Sequence, residues 1–351
     1  MNIREALPAD NDELQKLQAK CPQGRTIIVS IVNTPDFFAR AKAYRSYKIF
    51  VAFEDDRIIG SAACAIRDGT LNGNLNRIGY EFQYFTSPDC RGRGVAKQLH
   101  KQIEDYLSKQ EVILSYLLVM EGNSPAKRLF EGLGFHLHRH LMMTGVPIFK
   151  KMEVTFRGNI RPMAWEDLEV LAGLLNQTWQ GYDFYEPTSA QGLREFISRT
   201  PGLGLENLLV LEKEREVLAC LGFCDWSQMM RITLEAISLK MRLFGMLLDA
   251  LRLFRPMPKG PKPGDMLKQW MLTPIAFRDP EYVEPLLRYL NNQALVKGIA
   301  QIFSVFEQGD VLLSRMKGFI RLSTGMSLYV KPLQLNASVG NRSVFVDGID
   351  L

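Results

Sequence analysis

The sequence has no CxxC pair among its five cysteines, Cys21, Cys64, Cys90, Cys220 and Cys224. That odd, scattered set argues against a disulfide framework or a cysteine zinc site, and it fits a reducing cytoplasm. Uncharged apolar runs of about 18 residues are also lacking, so no membrane span is expected. The opening stretch, MNIREALPADNDEL, has no apolar core of the kind a secretory leader needs. Excess charge is scarce: 43 Lys+Arg against 38 Asp+Glu leave +5 over 351 residues. Such a balance suits an anionic small ligand and speaks against a nucleic-acid-binding protein. What is present, 46% hydrophobic and 23% charged, is ordinary globular composition at a length that suits two domains.

An internal repeat organises the chain. Ile3-Arg4, Asp10 and Leu14 recur at one offset as Ile160-Arg161, Asp167 and Leu171. Each set reads as a short strand feeding a helix, with the aspartate placed to cap free N–H groups. VAFEDDRIIGSAACAI (51–66) is matched by LVLEKEREVLACLGFC (209–224), two apolar runs around a charged turn, as in a hairpin. EGNSPAKRLFEGLGF (121–135) is echoed by QGDVLLSRMKGF (308–319), shorter by about one helical turn. Three matches in one order predict two copies of one α/β unit, 1–153 and 154–351.

In the first copy, helices are expected near 10–20, 93–108 and 123–133, with strands near 47–54, 57–67, 77–87 and 112–120 and from 135 onward. The second copy carries an insertion, ISLKMRLFGMLLDALRLFRPMPKGPKPGD (237–265). It is expected to form an amphipathic helix facing the core, followed by a solvated Pro/Gly/Lys-rich loop. Binding to a membrane surface or a partner is the alternative.

One turn carries chemistry. In CRGRGVAKQL (90–99), Gly92 and Gly94 alternate with Arg91 and Arg93 just before a helix. Glycines let the backbone approach a ligand closely. The first N–H groups of a helix lack partners and carry partial positive charge, and the arginines add full charges. This is an anion cradle. It is not a dinucleotide fingerprint, because Lys97 stands where GxGxxG needs glycine. On the turn alone, a basic surface loop remains the alternative.

The context of that turn resembles the GNAT acetyltransferase superfamily. Arg91-Gly92-Arg93-Gly94-Val95-Ala96 is similar to its pyrophosphate motif, and YFTSPDC leads into it as the family's strand does. Asn123-Ser124-Pro125-Ala126, Phe130 and Gly134-Phe135 are similar to its later motif. The resemblance covers most of residues 1–150. It implies an α+β fold of two tandem GNAT-like domains, each a mixed, mostly antiparallel sheet flanked by helices. It further implies an acetyl-CoA-dependent N-acetyltransferase in which an amine attacks the thioester directly within a ternary complex. Phe85 and Thr86 would then bond the pantetheine arm like an added strand. The N–H groups from Arg91 to Ala96 would hold the pyrophosphate. Asn123 would position the pantetheine, and the helix bearing Phe130 would flank it.

Glu81, in GYEFQYF, is the candidate base, and the alternative is an outward, solvated glutamate. Between Tyr80 and Phe82, its carboxyl would be desolvated. Phe130 stands where the family's acid is a tyrosine, and it cannot donate a proton; Tyr84 and Tyr116 are substitutes with packing as the competing role. HLHRH places His136, His138 and His140 on one strand face. A solvated face is the main expectation, with pocket lining and metal binding behind it, and no metal is assigned. Phe37, Phe38 and Tyr44 either shape the acceptor pocket or pack the core.

Opposite the turn, the second copy offers TPIAFRDPEYVEPLL (273–287), with three prolines, three acids and no glycine. It is expected not to bind CoA there. Its roles would be packing, closing the acceptor cleft or mediating a homodimer. The expected enzyme is a cytoplasmic GNAT-type acyltransferase acting on an amine of a small molecule or peptide. A non-catalytic acyl-CoA sensor or scaffold is the other reading.

Overall fold

A computed structural model describes every residue except 25, 317 and 336. Lys317, in the second copy's version of the tail motif, thus lies outside the described residues. The first half contains β1 (Asn2–Glu5), α1 (Asn11–Ala19), β2 (Ile27–Asn33), β3 (Ser46–Glu54), β4 (Arg57–Leu71) and β5 (Asn74–Thr86). Then come α2 (Val95–Lys109), β6 (Leu114–Met120), α3 (Ser124–Gly132) and β7 (His136–Pro147). The second half follows with β8 (Asn159–Pro162), α4 (Leu168–Thr178), α5 (Ala190–Arg199), β9 (Leu208–Lys213), β10 (Glu216–Asp225) and β11 (Met230–Ile237). It ends with α6 (Leu239–Leu251), β12 (Gln269–Phe277), α7 (Val283–Val296), β13 (Gln301–Glu307), α8 (Val311–Arg315) and β14 (Leu322–Pro332).

Twelve strands form one sheet in the order β1-β3-β4-β5-β6-β14-β7-β13-β12-β10-β9-β8. Read inward from either edge, the two halves have matching layouts. Each has one parallel pair, β5–β6 or β12–β13, among antiparallel neighbours. The register shift between Ser61 and Ala63, where β5 carries the extra residue, recurs between Leu221 and Phe223, where β12 does. The repeat extends to single bonds. Arg4 grips both oxygens of Asp10 at 2.6 and 2.8 Å, and the Leu7 N–H donates to the same carboxylate. Arg161 grips Asp167 at 2.7 and 3.0 Å, and the Ala164 N–H donates to it. Each aspartate thus ties a strand end to the start of the next helix and is held below its ordinary pKa, chiefly by the arginine.

At the centre of the sheet the halves exchange a strand. β7 belongs to the first half in sequence but pairs with β13 and β14. β14 belongs to the second half and lies between β6 and β7. A separate two-stranded sheet joins β2 to β11, again across the halves. This crossing pair was not among the expected strands.

On one face of the sheet, α2 packs Val95, Leu99, Ile103 and Leu107, one turn apart, against β3 and β4. Each such side chain contributes roughly 1.5–3 kcal/mol on burial. A Cβ at Gly60 would come within 2.6 Å of Val95, so that glycine lets the helix start sit close over β4. The main core lies on the opposite face and runs through both halves.

The inserted helix departs from expectation. α6 buries only Gly245 and Leu248, while Leu239, Leu243, Phe244, Met246, Leu247 and Leu251 are exposed. The reason is the Pro/Gly-rich segment after it. Gly260 backs onto Gly245, where a Cβ would meet the Gly245 carbonyl at 2.6 Å, and its N–H donates to Asp249. The folded-back segment covers the helix's narrow inner face, so the apolar face is turned outward.

Candidate active site

β5 and β6 are paired in parallel only from Ile78 to Tyr80, opposite Leu114 to Tyr116. Beyond that they part, with β5 continuing along β4 and β6 along β14. The cause is local. Gln83 adopts φ 53°, inside the β4–β5 register shift, and turns the end of β5 away. The result is a V-shaped opening whose β5 wall runs from Glu81 to Thr86. Phe85 buries its ring edge-on against Phe37, with centroids 6.3 Å apart, and Thr86 is half-buried.

The turn lies at the open end of the V. Gly92 and Gly94 have φ 79° and 80°, the left-handed region that favours glycine. A Cβ at either would meet nothing within 4 Å. Gly94 caps α2 without a side-chain bond, and the N–H groups from Arg91 to Lys97 meet no acceptor among the described residues. Val95 is buried, so this position offers only its backbone to a ligand, while Ala96 is half-buried. Arg91 and Arg93 are both exposed. Arg93 does not offer a full free charge as expected, because it is paired with Glu54 at 2.8 Å. Asn123, exposed, caps α3 by accepting the Ala126 N–H at 3.3 Å.

The corresponding connection in the second half is built differently. Asp279 accepts the Glu281 N–H at 2.8 Å, a short 3-10 turn starts at Pro280, and α7 begins with Val283 and Glu284. A carboxylate of the chain itself thus caps the 3-10 turn that runs straight into α7.

Glu81 is neither solvated nor set between Tyr80 and Phe82. Strand alternation puts those rings on the opposite face, stacked 5.1 Å apart. Glu81 is buried on the α2 face. It accepts the Tyr84 hydroxyl at 2.5 Å and lies 3.0 Å from His100 Nδ1, while its other oxygen is buried without a partner. His100 Nε2 lies 3.2 Å from Lys331 Nζ, which pairs with Glu104 at 2.9 Å. His100 Nδ1 also lies 3.3 Å from the Tyr84 hydroxyl and Nε2 lies 3.6 Å from Glu104, so the ring stands among two carboxylates, a phenol and an ammonium. Phe130 is buried, with its ring edge-on to Tyr84 at 5.1 Å. A phenol from β5 therefore packs against the residue that cannot donate. Burial first, and then Glu81, hold the Tyr84 hydroxyl well above its ordinary pKa.

On the opposite face, a cavity of about 340 Å³ opens between the halves. Tyr44 and Arg67 come from the first half; Glu186, Arg199, Asp347 and Asp350 come from the second. Asp350 accepts the hydroxyls of Tyr44 and Tyr116, each at 2.9 Å, and its backbone carbonyl accepts that of Tyr80. This knot sits at the vertex of the V. Asp347 accepts from the Thr273 hydroxyl and the Ile349 N–H through one oxygen. Burial raises the carboxyls of Asp347 and Glu186 above their ordinary pKa and lowers Arg199. One Arg199 nitrogen is buried without a partner.

The cavity acids were invisible in the sequence. SVFVDGIDL (343–351) has no motif, and its proximity to Tyr80 and Tyr116 follows only from long-range packing. Tyr44 does line the cavity, whereas Phe37 packs the core. His136 and His140 are exposed, while His138 is half-buried near Phe184 and its pKa falls to about 4, mainly through burial. Among the described residues, no three His, Cys, Asp or Glu side chains gather as a metal site requires.

A sheet that opens between two parallel strands beside a glycine-rich helix start is the framework of GNAT-fold acyltransferases, enzymes that draw on an acyl-CoA donor. Residues 12–135 match the family model described as Acetyltransferase (GNAT) family. No curated protein matches the sequence. Among solved structures, a GCN5-related N-acetyltransferase from Sphaerobacter thermophilus aligns with TM-score 0.59 and 11% identity, over 96% of this chain and 97% of that one. N-myristoyltransferase from Saccharomyces cerevisiae with bound myristoyl-CoA aligns with TM-score 0.67 and 11% identity, over 99% and 85%. These likenesses establish the fold, two GNAT-like halves in one chain. No helix among the described residues is long and apolar enough to cross a membrane.

Proposed function

We propose that the chain is an N-acyltransferase with a single CoA site, in the first half, that moves an acetyl group from acetyl-CoA to an amine held in the cavity between the halves. The observation that carries this reading is the turn itself: two left-handed glycines, an uncapped helix start and unfilled space beside it, all at the mouth of the V. The pyrophosphate would take the N–H groups of Arg91 to Ala96. The pantetheine amides would pair with the free edge of β5 near Phe85 and Thr86, with Asn123 and Phe130 on the other wall. The thioester would then reach the vertex, next to the end of the cavity formed by Tyr44 and Asp350. An amine in the cavity could attack it in line, and such positioning supplies much of the rate.

The attacking amine must lose a proton. Glu81 is the first candidate, with His100, Lys331 and Glu104 forming a polar path from it to the surface. Tyr84 would protonate the departing thiolate in place of a tyrosine at 130. A second reading makes Asp347 the base, because it lines the cavity itself and its burial favours the proton-accepting range.

The test is release of free CoA from acetyl-CoA against a panel of amines and peptides. With an active acceptor in hand, Glu81→Gln is expected to lower kcat by roughly 10²–10⁴-fold and to remove the acid limb of the pH–rate profile. A limb that persists in Glu81→Gln but vanishes in Asp347→Asn transfers the role to Asp347. Acetyl-CoA binding without turnover across a broad panel would support the sensor reading instead.

A further inference from the structure

We infer that α6 and the segment after it form a docking surface for an anionic lipid bilayer. The starting observation is an inversion of the usual helix pattern. A helix on a globular surface turns its apolar stripe inward. Here the inner face is Gly245 and Leu248, closed off by Gly260. The outer face carries Leu239 (70% exposed), Leu243, Met246, Leu247, Leu253 (81%) and Phe254 (82%). At about 100° per residue the four within α6 fall in one arc of roughly 100°, and Leu253 and Phe254 extend the apolar surface into the turn that follows. Large side chains left in water as one continuous stripe mark a contact surface.

Charge selects the occupant. Residues 237–265 hold six basic side chains that bear on this surface and two acids, Asp249 and Asp265. The acids are already matched: Arg252 and Lys262 each lie 3.8 Å from Asp249, and Lys259 lies 3.6 Å from Asp265. Lys240, Arg242 and Arg255 add positive charge with no ion pair among the described residues. On the helix wheel, Lys240 and Arg242 stand near the two margins of the apolar arc, and Arg255 follows just after the helix. That is the layout of a helix lying in a bilayer interface, with apolar side chains in the acyl boundary and cations among the headgroups. A second copy of this chain fits less well. A two-fold contact through this face would bring like charges together, which costs affinity. The framework is built to hold the helix outward. β11 pairs with β2 just before it, and the Ser238 N–H that precedes it donates to the Thr26 carbonyl.

The experiment is flotation of the full chain with vesicles of phosphatidylcholine alone or with one third phosphatidylglycerol. Binding is expected to the anionic vesicles only, falling as salt is raised. Replacing Lys240, Arg242 and Arg255 together by Gln should weaken partitioning by roughly fivefold per residue. Combining Leu243→Ser, Leu247→Ser and Phe254→Ser should abolish it; these side chains are exposed, so the unfolding midpoint should stay near that of the parent. In Phe244→Trp, the added indole emission should shift to the blue on anionic vesicles. Absence of binding by the folded parent overturns the proposal. So does equal binding to neutral vesicles, or a dimer in light scattering that the serine variant dissolves while vesicles capture nothing.

Discussion

Acetyl-CoA binding is expected to fall by on the order of 10²–10³-fold when Arg91→Glu is combined with Gly94→Asp, as read by titration calorimetry. Two effects add. The Gly94→Asp side chain must sit on a backbone with φ near 80°, where a side chain costs roughly 1–2 kcal/mol. Its carboxylate also enters the open space beside the helix start, and Arg91→Glu reverses a second charge. Opposite unit charges about 4 Å apart near a protein surface attract by roughly 4 kcal/mol before screening, and like charges repel comparably. Even after heavy discounting, a few kcal/mol remain, and each 1.4 kcal/mol is about tenfold in affinity. Arg93→Gln is the contrast. Its guanidinium already serves Glu54, so a loss of less than about tenfold is expected. An unchanged dissociation constant for the double variant would remove the turn from the donor site.

The second large effect concerns the central strands. Residues 1–153 expressed alone are expected to be insoluble or oligomeric, with no cooperative unfolding transition by circular dichroism. β7 would have lost both its partners, and β6 would have lost β14. The removed strand buries Met326, Leu328, Tyr329 and Val330. At roughly 1.5–3 kcal/mol each, those four side chains alone match the whole net stability of a typical domain, about 5–15 kcal/mol. Exposed strand edges also template aggregation. Co-expression with residues 154–351 should yield a soluble one-to-one complex. A monomeric, cooperatively folding 1–153 fragment would show that the central pairing is dispensable.

Local signals in the chain were readable where one physical rule acted within a short span. The turn at 91–96 declares its backbone through two glycines, and both sit at positive φ. The constant offset of Ile-Arg, Asp and Leu marked the repeated strand–helix unit and its aspartates, but not that Asp10 and Asp167 are gripped by Arg4 and Arg161. Facing was harder. Glu81 was legible as a strand residue, but its neighbours depend on alternation plus the irregularity at Gln83, and no pattern in GYEFQYF marks that shift. The strand exchange, the β2–β11 sheet and the arrival of Asp347 and Asp350 at the vertex are contacts between distant segments. A single sequence gives hydrophobic strands without saying which partner each will choose. The outward face of α6 escaped for a related reason: its amphipathic period is real, but the period does not say which side meets the protein.

The exchanged strands fix a stoichiometry. Each half completes its sheet with a piece of the other, so the chain behaves as a tethered heterodimer whose subunits cannot be titrated apart. The second half lends β14 to the central sheet and Asp347 and Asp350 to the shared cavity.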